Sequence, residues 1–83
     1  MNLGEALRIA RRGAHMTLMQ ASDEISCDIT TLCRWERGVY RVPDDALVLA
    51  AQVYEAHWLL TYHPVVRAFL NDPGDGAAAR VPA

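Results

Sequence analysis

Two helical runs meet in this chain with almost nothing between them, and that junction constrains the fold more than any other feature. The first run opens at Thr17, with Gln20 three residues on. At that spacing each side chain can satisfy the other residue's backbone N–H. Ala21, Ser22 and Ile25 fall on its inner face. Ser26-Cys27 breaks the run. Asp28 then caps a second run, Ile29 to Arg37, in which Leu32 and Trp35 lie three apart on one face. Gly38 stands where glycine is favoured, just past a helix end. The connection between the runs, Ser26-Cys27-Asp28, is about three residues long. No strand pattern and no repeat occurs anywhere, so the chain reads as all-α.

The remaining elements follow from the same signals. Asn2 and Glu5 form another capping pair, with Leu3, Leu7, Ala10 and Ala14 at helical spacing and Gly13 as the stop. Val39 to Pro43 is a loop. Asp44 is expected to cap a fourth helix, Asp45 to about Tyr54, with Ala46, Leu47, Leu49, Ala50 and Val53 as its apolar positions. Ala56 to Tyr62 reads as a fifth helix, with Trp58, Leu59 and Tyr62 as candidate buried residues. Pro64 either interrupts that helix or begins a new one, because proline is welcome at the first helical position. Val65, Val66, Phe69 and Leu70 would then form a short sixth. From Asn71 on the chain is breaker-rich and weakly apolar, and a disordered tail is expected. The expected organisation is a compact five-helix domain over residues 1–62, a short helical extension over 63–71 and the tail over 72–83.

Composition narrows the class. Apolar residues make up 52% of the 83 and charged residues 22%, outside the regime of intrinsic disorder. No apolar run approaches the ~18 residues of a membrane span. Met1-Asn2-Leu3-Gly4-Glu5 lacks the basic and apolar regions of a signal peptide. Cys27 and Cys33 make no disulfide framework. A soluble cytoplasmic protein without membrane contact is expected. The cysteines stand six apart, wider than the spacing of a zinc pair, and His15, His57 and His63 are dispersed. No Gly-rich phosphate loop, paired-histidine motif or serine elbow occurs. Neither metal, cofactor nor enzymatic activity is expected.

The formal net charge is −2, but it is unevenly spread. Residues 1–43 hold six arginines against five acids, and residues 44–83 hold two against five, giving +1 and −3. All eight basic residues are arginine. Its planar fork suits phosphates and guanine edges, although an all-arginine set equally follows from genome composition.

The short junction has the length of a DNA-reading helix-turn-helix connection. In such a pair the first helix lies across the backbone and the second projects its N-terminal residues into the major groove. Many small helical bundles share the spacing, so the residues matter. Leu3-Gly4-Glu5-Ala6-Leu7-Arg8, then Met16-Thr17-Leu18-Met19-Gln20-Ala21-Ser22, then Asp28-Ile29-Thr30-Thr31-Leu32-Cys33-Arg34-Trp35-Glu36-Arg37-Gly38 resembles the phage-repressor/Cro-type helix-turn-helix family. Arg34-Trp35-Glu36-Arg37-Gly38 is the most specific piece. Pro43-Asp44 with Leu47, Leu49 and Ala50 is similar to that family's fourth helix. The resemblance covers roughly residues 3–62. It implies a repressor-like fold and sequence-specific binding of double-stranded DNA in transcription regulation.

The same resemblance implies roles for individual residues. Ile29, Thr30 and Arg34, with Cys33 beside them, would face base edges: Arg34 a guanine, Thr30 a base or phosphate, Ile29 a thymine methyl. Thr17 and Leu18, at the start of the second helix, and Arg37, Tyr40 and Arg41, after the third, would meet the DNA backbone. Arg11 and Glu36 match a structural ion pair between the first and third helices. Leu7, Ala21, Ile25, Leu32 and Trp35 would be core. Leu18 stands where the family often has glutamine. His15 and Ser26 replace glycines at sites that often need φ > 0. Ile9, Leu18 and Met19 are apolar where polar residues are typical. They form either a small contact patch or a scatter of exposed apolar side chains.

One recognition helix makes too few base contacts for useful specificity. A homodimer would place two of them ~34 Å apart on a palindromic site. Trp58, Leu59, Tyr62, Val66 and Phe69 are the expected dimer surface, unless the sixth helix folds back over the core. Two alternatives keep the fold. One is an antitoxin-type regulator that also binds a toxin partner. The other is a protein–protein adaptor without DNA binding.

Overall fold

The computed structural model describes residues 2–70, and the tail expected over 72–83 lies outside the described residues. All regular structure among the described residues is helical. It comprises α1 (Leu3–Gly13), α2 (Leu18–Ile25), α3 (Ile29–Glu36), α4 (Asp44–Val53), a 3-10 helix (His57–Tyr62) and α5 (Pro64–Leu70).

Helix starts follow their capping residues. At α1 the Glu5 N–H donates to Asn2 Oδ1 at 2.9 Å and the Asn2 N–H donates to Glu5 Oε1 at 3.1 Å. At α2 the Gln20 N–H donates to Thr17 Oγ1 at 3.1 Å and the Thr17 N–H to Gln20 Oε1 at 2.9 Å. Two other starts differ from expectation. Asp28 occupies the cap position of α3, but its carboxylate makes no bond to the helix. The cap of α4 is Pro43, and Asp44 is already helical. The extended backbone of Pro43 launches the helix one residue early, and Asp44 and Asp45 then sit in the first turn, where the helix dipole favours negative charge.

The four α-helices that precede the 3-10 helix end in one motif. In α1 the Met16 N–H reaches Arg11 O and the His15 N–H reaches Arg12 O. The same crossed pair recurs from Cys27 and Ser26 to Ser22 and Asp23, from Val39 and Gly38 to Arg34 and Trp35, and from Ala56 and Glu55 to Ala51 and Gln52. This is the Schellman closure, which needs a left-handed residue just past the helix. Only the third uses glycine, Gly38 at φ 78°; His15, Ser26 and Glu55 adopt φ 59°, 65° and 51°.

The segment expected as a fifth α-helix is a 3-10 helix. It is confined between left-handed Glu55 and Pro64, whose ring forces His63 into an extended conformation (φ −70°, ψ 133°). Six residues in that space close i→i+3 bonds, Leu59 N–H to Ala56 O and His63 N–H to Leu60 O, both 2.9 Å. The tighter winding rotates Trp58 outward. It is 43% exposed rather than buried, while Leu59 points fully inward. Pro64 begins α5.

Leu7, Leu32, Leu47 and Leu59 come from α1, α3, α4 and the 3-10 helix and are the largest fully buried side chains. Each such leucine is worth about 1.5–3 kcal/mol of burial. α3 is covered by α1 and α2, α2 also meets α4, and the 3-10 helix contacts α1, α4 and α5. α1 and α3 approach unusually closely at Gly4. A Cβ there would lie 2.6 Å from Glu36 O and 2.7 Å from Trp35 O. The first turn of α1 therefore sits on the last carbonyls of α3, an arrangement in which the two helix-end charges attract.

Candidate nucleic-acid interface

The α2–α3 junction presents one side of α3 and buries the other. Left-handed Ser26 closes α2, and Asp28, in extended conformation, starts α3 two residues later. Leu32, Trp35 and Glu36 face the interior. Ile29, Thr30, Arg34 and Arg37 face solvent, with Cys33 half-buried between them. A shallow depression runs along this outer side, lined by Leu18, Ile29, Thr30, Cys33, Arg34 and Arg37. Ile29 is 42% exposed, so an apolar contact remains available beside the two guanidinium groups.

Leu18 is half-buried against the core. It carries no polar side-chain atom, so any bond it gives to a phosphate must come from its backbone N–H in the first turn of α2, where N–H groups lack intrahelical acceptors. Thr17 is exposed, and its hydroxyl already serves the cap. Past Gly38 the loop exposes Tyr40 and Arg41. Both line a second hollow with Asn2, Leu3, Trp35 and Val42. Tyr40 also touches α3: Arg34 Nη1 donates to its hydroxyl at 3.2 Å, and the guanidinium carbon lies 5.3 Å from its ring centroid. Sequence spacing did not indicate this pair.

A buried clamp fixes the orientation of α3. Arg11 Nε donates to Glu36 Oε2 at 2.7 Å and Nη2 to Glu36 Oε1 at 3.0 Å, a two-pronged ion pair. Arg11 Nη1 donates to Met16 O at 3.0 Å, tying in the segment before α2. The hydrogen bond to Glu36 raises the Arg11 pKa further, so the guanidinium stays charged. Tyr54, at the C-terminal cap of α4, is buried within electrostatic reach of this pair, and its hydroxyl has no hydrogen-bond partner among the described residues. Burial, reinforced by Glu36, pushes its pKa well above the ordinary phenol value. Burial likewise raises the Cys27 thiol. Cys27 and Cys33 are free thiols, and no group of three or more His, Cys, Asp or Glu among the described residues could hold a metal ion.

Of the five residues expected to form the dimer surface, one is not available to a partner. Leu59 is fully buried within the protomer and is removed from that set. Trp58 lines a hollow with Ile9, Ala10, Gly13 and Glu55. Tyr62 lines a different one with Asn2, Leu3, Pro64 and Arg67. Val65 and Phe69 of α5 do not cap the core: they are 71% and 64% exposed, and Val66 is half-buried. Ile9 and Met19 are exposed, at 52% and 64%, while Leu18 is half-buried against the core. No helix among the described residues is long and apolar enough to cross a membrane. Comparison with protein-family models, curated proteins and solved structures yields no match to this chain.

Proposed function

We propose that this chain is a sequence-specific double-stranded DNA-binding regulator that reads the major groove with the outer side of α3 and works as a homodimer on a two-fold site. One observation carries the reading. Ile29, Thr30 and Arg34, the residues that the helix-turn-helix resemblance assigns to base edges, lie together on the exposed side of α3, while Leu32, Trp35 and Glu36 anchor its other side. Arg34 supplies a fork for a guanine, Thr30 a hydroxyl, and Ile29 a hydrocarbon for a thymine methyl. Arg37, Arg41 and the first-turn N–H groups of α2 serve the phosphates.

The direct test is selection of bound sequences from random duplexes by the purified protein. A palindrome with half-sites about one helical turn apart supports both the reader and its symmetry. Failure to enrich any sequence rejects the proposal. A second reading, a protein-binding regulator or adaptor, draws on the exposed Val65 and Phe69 of α5 and on Met19, 64% exposed on α2. Retention of a specific protein partner together with indifference to duplex DNA would favour it.

A further inference from the structure

Arg34 is exposed, yet its side chain is not free. Tyr40 accepts a hydrogen bond from its Nη1 at 3.2 Å and presents its ring 5.3 Å from the guanidinium carbon. The phenol is brought there by the chain itself. Gly38 turns the backbone at φ 78°, and the N–H groups of Val39 and Tyr40 both point back to Arg34 O, at 2.9 and 3.5 Å. So the residue that holds the Arg34 side chain is anchored to the Arg34 carbonyl.

What the contact leaves open matters as much as what it holds. A guanidinium has five N–H donors in a rigid fork. Tyr40 uses one of them on Nη1. The Nε and Nη2 groups form no hydrogen bond among the described residues, and that edge is the one able to give two parallel bonds to the O6 and N7 of a guanine. An unrestrained arginine would lose much of its rotamer freedom on making those bonds, and one already steered loses less. The cation–π contact also strengthens when a partner excludes water from it.

We infer that Tyr40 is a positioning residue for Arg34 and thereby sets the preference for guanine. This rests on the DNA-reading proposal, and it moves Tyr40 from a phosphate contact to a determinant of base choice. The two roles have different signatures. Loss of a phosphate contact weakens all sequences alike, whereas loss of positioning weakens the discrimination between bases.

The test uses the full chain and the duplex enriched from the random pool. Affinity is measured for that duplex and for versions with the guanine replaced, with the unmodified protein, Tyr40→Phe, Tyr40→Leu, Arg34→Ala and the Arg34→Ala/Tyr40→Leu double variant. Tyr40 is half exposed, so these changes leave the core intact, and thermal melting verifies that. Tyr40→Leu is expected to lower the preference for guanine about tenfold. Tyr40→Phe, which keeps the ring and loses the acceptor, should fall between. With Arg34→Ala, Tyr40→Leu should leave base preference unchanged, the outcome of a double-mutant cycle between coupled residues. Uniform weakening with the guanine preference intact overturns the inference and leaves DNA reading standing. No enriched duplex at all overturns both.

Discussion

Tyr54 illustrates how one atom shapes the behaviour of a small fold. Its ring fills space beside the Arg11–Glu36 clamp, but its hydroxyl is buried without a partner. A hydroxyl in that state costs about 1–3 kcal/mol. Tyr54→Phe keeps the ring and removes the cost, so denaturant unfolding should show stability unchanged or raised by about 1 kcal/mol. The same residue predicts a pH dependence. Its folded pKa is raised, so above the ordinary phenol value of 10 the native state keeps a proton that the unfolded chain releases. The unfolded state then binds fewer protons, and stability falls as pH rises. That contribution is fully present below 10 and is lost above it. Cys27 acts in the same direction from its ordinary value of 9. Melting curves between pH 8 and about 12 should therefore show an alkaline loss that is smaller in Tyr54→Phe. An identical loss in the variant would mean that Tyr54 is not its source.

At the level of elements, helix ends offer the clearest expectations. The left-handed residues His15, Ser26 and Glu55 do a glycine's work with a side chain attached. The conformation costs an L-residue about 1–2 kcal/mol, and glycine's entropy returns roughly 0.5–1 of that. Ser26→Gly should therefore stabilise by about 0.5–1 kcal/mol, a rise of several degrees in melting temperature, and His15→Gly should move the same way. Gly4 behaves oppositely. Gly4→Ala would normally favour a helix, but here the methyl meets two carbonyl oxygens of α3. The helices must part, and a loss of more than about 2 kcal/mol is expected in the same measurement. These cases mark what was legible in the chain. Asn2/Glu5, Thr17/Gln20 and Gly38 act within a few residues, so their roles could be read directly. The inner face of α3 was legible from the spacing of Leu32 and Trp35, and its outer residues from the helix-turn-helix resemblance. Gly4 was not, because its reason lies more than thirty positions away, at Trp35 and Glu36. Trp58 was misplaced because a 3.6-residue period does not describe a 3-10 turn. The Arg34–Tyr40 contact depends on the backbone path through Gly38, which no spacing rule gives.

For the whole molecule, charge and apolar surface lead to two expectations. The exposed arginines on and just after α3, Arg34, Arg37 and Arg41, are matched in number by the exposed acids of α2 and the α2–α3 junction, Asp23, Glu24 and Asp28. Few phosphates can be neutralised, so a two-copy complex should show a salt slope no steeper than about −6. Titrations at varied ionic strength giving about −8 or steeper would contradict this. If a second copy covers α5, Phe69→Asp should yield a folded monomer with weakened binding to a two-fold site, because Phe69 is 64% exposed. Sedimentation shows which state forms, and an unaltered dimer would exclude that face. Leu59→Asp cannot serve, since a buried carboxylate would unfold the protomer.

The Arg11 clamp carries a consequence for the amino end. Its guanidinium joins Glu36 to the Met16 carbonyl, so the tilt of the third helix is governed from the first. Loss of the Arg11 side chain alone, which lies outside the proposed base-reading set, would therefore weaken recognition from a distance, because Glu36 would keep a buried carboxylate with no cation beside it.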